Sequence, residues 1–157
     1  MRILLVLIAA AVILAAVSVG FDRRRMAQSA RALGLDAPGV RTADCPGPMF
    51  RFAVKPEAGM AYLFFGAKTA PLGIPLADIA GCEFIDGGSR PQGMGGFLVG
   101  EAAADALSGR SRGSVLRILR RSPDSPPAEF RLAKSTYHED FRIFAREVEK
   151  LLAEYTE

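Results

Sequence analysis

The residues predict an α+β chain: an N-terminal transmembrane helix, then antiparallel strands, then a C-terminal amphipathic helix. Three observations carry this. Ile3 to Val19 hold no charge and one polar side chain, Ser18, and Arg23, Arg24 and Arg25 follow closely. Between residues 49 and 132, short apolar runs alternate with charges at a period of two and are parted by glycine and proline clusters. Phe141, Phe144, Val148, Leu151, Leu152 and Tyr155 recur at three- and four-residue steps, which places them on one helical stripe.

With Gly20 and Phe21 the first run reaches the roughly 17 to 25 residues a helix needs to cross a bilayer core. A cleaved secretory signal peptide is the rival reading, with Met1-Arg2 as a minimal positive n-region and Ala16-Val17-Ser18 as a small-x-small cleavage site. The run is longer than the roughly 7 to 15 residues of a usual h-region, and the arginine triplet beyond the site resists translocation. A signal-anchor over residues 1–22 is therefore favoured. Arg23, Arg24, Arg25 and Arg31 follow the span against Arg2 before it. The positive-inside rule then puts the C-terminal part in the cytoplasm, on the inner (cell) membrane. The charge of +3 and the pI of about 9.1 come largely from this collar. They point to the lipid bilayer and its anionic headgroups, at about 1 kcal/mol per basic residue near the surface, and not to nucleic acid.

Residues 23–48 read as a basic juxtamembrane helix and linker. Met26 to Leu35 has helix-forming composition that Gly34 and Pro38-Gly39 stop, and Ala43 to Pro48 (ADCPGP) marks a boundary. The rest, residues 49–157, is long enough for one modest core. Met49 to Lys55 alternates Phe50, Phe52 and Val54 with charges, Pro56 to Gly59 turns, and Met60 to Phe65 returns as a second strand of a hairpin. Gly66 to Pro75 reads as a loop, Leu76 to Ile79 as a short turn, and Ala80 to Asp86 as a strand. Ser114 to Arg121 and Glu129 to Leu132 form a second hairpin across the proline-rich Ser122 to Pro127. A capping box, Thr136 with Glu139, opens the terminal helix.

Chemistry-bearing patterns are sparse. Cys45 and Cys82 are too few for a disulfide framework or zinc site; reduced in the cytoplasm, they would pair only in an exported chain. The glycine-rich insertion, Gly93 to Gly109, lacks the GK[ST] of a phosphate loop. Its Gly96 to Gly100 spacing instead offers a close helix contact, on its own domain, in self-association or at the membrane surface. His138, the one histidine, reads as a solvated helix start, and no GxSxG elbow frames Ser108, Ser111 or Ser114. Arg110, Arg112, Arg117, Arg120 and Arg121 make a basic cluster: a solvated face, or a surface for anionic lipid or a phospho-ligand. It lacks the interleaved aromatic residues of a single-stranded nucleic-acid site.

The stretches PLADIAGCEFIDGG, GMGGFLVGEAAADALSG and SVLRILRRSPDSPPAEFRL, followed by the terminal helix, give residues 49–157 a layout that resembles small bacterial membrane-anchored PH-like domain proteins of unknown function. The resemblance implies an antiparallel PH-like β-barrel or sheet capped at one end by its helix. It also implies a general binding or scaffolding role and carries over no catalytic residue or cofactor; the partner expected is a protein or peptide segment or the membrane surface. The expectation is a non-enzymatic, single-pass membrane protein with a cytoplasmic binding domain. The alternative is an exported envelope binding protein with a cleaved signal peptide.

Overall fold

A computed structural model describes residues 2–87, 113–133 and 137–155. The chain divides into two compact units, Met1–Ile74 and Pro75–Glu157.

The first unit begins with α1, Arg2–Ala32, whose 31 residues make a rod of about 46 Å at 1.5 Å per residue. From Val6 its apolar side chains stand exposed on every side, as far as Phe21. Beyond that point the helix acquires a packed face. Asp22, Met26, Ser29, Ala30 and Leu33 lie at three- and four-residue steps and are wholly or partly buried, while Arg24, Arg25, Gln28 and Arg31 face outward. Ala30 and Leu35 pack with Ala53 and Phe64 in a core cluster that Met26, Leu33, Val40 and Tyr62 extend.

Four strands receive this face: β1 (Arg41–Cys45), β2 (Phe50–Lys55), β3 (Met60–Phe65) and β4 (Leu72–Pro75), ordered β1-β2-β3-β4. β1 and β2 pair from Arg41 opposite Val54 to Cys45 opposite Phe50. β2 and β3 pair from Phe50 opposite Phe65 to Lys55 opposite Met60, across a 3-10 turn at Pro56–Ala58. Ala53 is the small residue over which α1 settles; Phe52, Val54 and Leu63 are buried on the other face of the sheet. β2 is thus buried on both faces, where its Arg51/Lys55 alternation suggested one.

Two expectations give way here. Residues 43–48 are not simply linker, because Ala43 to Cys45 belong to β1, and the loop Gly66 to Pro75 contains β4. Both strands are short and flanked by proline, which sheet edges tolerate because the missing donor faces outward.

The second unit holds β5 (Ile79–Ile85), β6 (Ser114–Arg120), β7 (Ala128–Leu132) and α2 (His138–Ala153), with the sheet ordered β5-β6-β7 and antiparallel throughout. α2 buries Phe141, Phe144, Ala145, Val148, Leu151 and Leu152. Phe144 meets Phe130 edge-on at 5.2 Å between centroids, and Phe141 lies 5.9 Å from Phe84. The helix starts at His138 with Tyr137 in the cap position and no side-chain cap from it; the expected capping box rests on Thr136, which lies outside the described residues.

The architecture is α+β with two antiparallel sheets, not a closed barrel. Pro75 and the 3-10 turn Leu76–Asp78 part β4 from β5, and proline cannot donate to a continuing ladder.

Candidate functional site

In the second unit, β5 pairs only with β6 among the described residues and so presents an edge. Beside that edge, a cleft of about 410 Å³ opens between β5 and α2. Cys82, Phe84 and Asp86 line its strand side, Arg142, Arg146 and Glu149 its helix side. An apolar floor with charged walls of both signs suits a peptide better than a small anion. Burial pushes the Cys82 thiol up to about 11, with Glu149 adding to the effect, so it is neutral near neutrality.

At the head of α2 lies a polar group that local patterns did not reveal. Ser114 is 1% exposed; its hydroxyl donates to Asp86 Oδ1 at 3.3 Å and lies 3.4 Å from His138 Nδ1. Arg142 Nη2 donates to Asp86 Oδ2 at 2.6 Å, a bond that raises the arginine's affinity for its proton. A serine nucleophile needs an accessible Oγ and a carboxylate that orients the histidine. Here the carboxylate sits on the serine, and the serine is buried. The cluster instead ties the start of α2 to the ends of β5 and β6, and His138 is half-buried in it, not a solvated helix start. Ser114 and Asp86 are 28 positions apart, so only the strand register brings them together.

Within the expected anion surface, Arg117 and Arg120 are neutralised by carboxylates. Arg117 Nε donates to Glu129 Oε1 at 2.8 Å and its guanidinium also approaches Glu83 at 3.6 Å; Arg120 pairs with Asp78, and Arg121 Nε donates to the Ile79 carbonyl at 3.2 Å. The Asp78 carboxyl is held low by its bonds from Arg120 and the Ser122 N–H. Burial raises that of Glu129, but bonds from Arg117 and Arg131 reverse this and leave it low. Arg110, Arg112, Gly96 and Gly100 lie outside the described residues.

In the first unit, Arg23, Arg24 and Arg25 sit exposed on α1, and Arg23 borders a second cleft, about 250 Å³, against β1 and β2. Met26, Ala27, Met49 and Phe50 supply its apolar surface. Across it Arg51 grips Asp44 with two hydrogen bonds, Nε to Oδ1 at 2.5 Å and Nη2 to Oδ2 at 3.2 Å. The helix is long and apolar enough to cross a membrane, a test that a signal sequence also meets.

No family model, curated protein or solved structure matches the chain.

Proposed function

We propose that this is a single-pass membrane protein whose cytoplasmic part is a PH-like binding module, not an enzyme, which takes an extended protein segment at the β5 edge and the cleft beside α2. The cleft carries the reading: among the described residues the β5 edge offers unpaired backbone groups to an added strand, and the adjoining groove offers Phe84, Arg146 and Glu149 for its side chains. Among the described residues, seven strands, grouped four and three and followed by a helix, support the PH-like layout. The exposed apolar turns of α1 and the arginines after them support the anchor and its orientation.

Two measurements test this. Reporters active only in the cytoplasm or only in the periplasm, fused in turn after Glu157, should give cytoplasmic activity on an uncleaved chain. Periplasmic activity on a shortened chain would establish the exported alternative and make pairing of Cys45 with Cys82 the next question. For the site, extended peptides selected on the detergent-solubilised chain should lose binding when Glu149→Trp fills the groove. Peptides indifferent to that substitution would remove the cleft from the proposal.

A further inference from the structure

The cleft between α1 and the first sheet lies where the apolar run ends. Phe21 is the last residue of that run, and Arg23 is two positions on, about 3 Å along the axis. If α1 crosses the bilayer, as proposed above, this cleft stands at the depth of the lipid phosphates. Its charge is unbalanced: Arg51 and Asp44 satisfy each other, and among the described residues no carboxylate pairs with Arg23. Its wall includes Met49, held at φ +57° in the left-handed region that a side chain rarely adopts. Such strain, of order 1 to 3 kcal/mol, tends to persist at sites with a ligand to position.

We infer that this cleft is a binding site for the headgroup of one anionic phospholipid of the leaflet that α1 leaves. Arg23 meets the phosphate, Met26, Met49 and Phe50 cover the glycerol end, and the acyl chains remain in the bilayer. The volume decides the extent of the ligand. At about 250 Å³ the space falls below the range of roughly 300 to 1,000 Å³ that encloses a drug-sized molecule, but a phosphoglycerol group needs less. The site differs from diffuse attraction to the collar, in which Arg23, Arg24 and Arg25 would be interchangeable.

Native mass spectrometry of the full chain, released from detergent with equal phosphatidylglycerol and phosphatidylcholine, tests this distinction. One phosphatidylglycerol per chain should be retained. Arg23→Gln should lower retention by about tenfold or more, the loss expected for a charge-assisted hydrogen bond. Ala27→Trp, at an exposed position, keeps every charge but fills the cleft and should lower it equally; Arg25→Gln, outside the cleft, should leave it unchanged. Equal losses from Arg23→Gln and Arg25→Gln would overturn the site, as would retention that ignores headgroup charge. Failure of the anchor itself would show separately, because alkaline carbonate would then extract the wild-type chain from vesicles.

Discussion

Cys82 sits half-buried on β5 with its thiol pushed up to about 11 by burial and by Glu149, against an ordinary value of 9.0. Below pH 9 that leaves about a hundredfold less thiolate than an ordinary cysteine has, and alkylation requires the thiolate. Iodoacetamide labelling, mapped to Cys82 by mass, should therefore rise with a midpoint near 11, and Glu149→Gln should lower the midpoint. A midpoint near 9 would mean that the thiol is not desolvated. The linkage has a definite sign: the neutral thiol is the form the fold favours, so its contribution to stability is intact below pH 9 and is lost as pH rises through about 11. An apolar setting for Cys82 was legible in AGCEFID, but Glu149 was not, because it comes from a helix that ends far along the chain. The same holds for the arginines. Their number was plain from composition, yet Glu83, Glu129 and Asp78, which neutralise two of them, become neighbours only through strand register.

The end of α1 shows how an element is terminated. Gly34 takes φ +66°, its N–H donates to the Arg31 carbonyl at 2.9 Å, and the Leu35 N–H reaches back to Ala30 at 2.9 Å. This is a Schellman cap, with Leu35 and Ala30 also sharing the core cluster. Lys55 Nζ, from β2, donates to the Leu33 carbonyl at 3.2 Å and so satisfies another terminal acceptor. A Cβ at Gly34 would lie 3.0 Å from Lys55 Nζ, and the left-handed backbone would be strained as well. Gly34→Ala should cost about 1 to 2 kcal/mol in denaturant unfolding of the first unit in detergent. A cost near zero would mean that α1 ends elsewhere. Gly34 was recognisable as a stop, but the packed face before it was not, since the arginines dominate that stretch of sequence. β1 and β4 escaped for a related reason: prolines beside short runs read as loop, although an edge strand accommodates them.

Over the whole second unit, the carboxylates that hold strands and helix together are tied to arginines: Asp78 to Arg120, Glu129 to Arg117 and Arg131, Asp86 to Arg142. Asp78 and Glu129 are held below their ordinary values of 3.8 and 4.5. Their contribution is therefore present above the ordinary carboxylate range and is lost as pH falls through the depressed values. Thermal melting should begin to fall as pH drops below about 4, and Glu129→Gln should lessen that fall; an unchanged profile in the variant would remove Glu129 as a cause. The chain's larger organisation was legible at both ends, in α1 and in the stripe of α2, and less so between them, where the sheet boundary depends on how Pro75 and the following turn redirect the backbone. α1 is a single rod whose far end is fixed in the β1-β4 sheet through Met26, Ala30 and Leu33. A spanning helix tilts to match the thickness of the bilayer around it. In the anchored reading proposed above, the packing of α1 on β2 and β3 would couple a change in tilt to the first sheet, whose inclination would then follow membrane thickness.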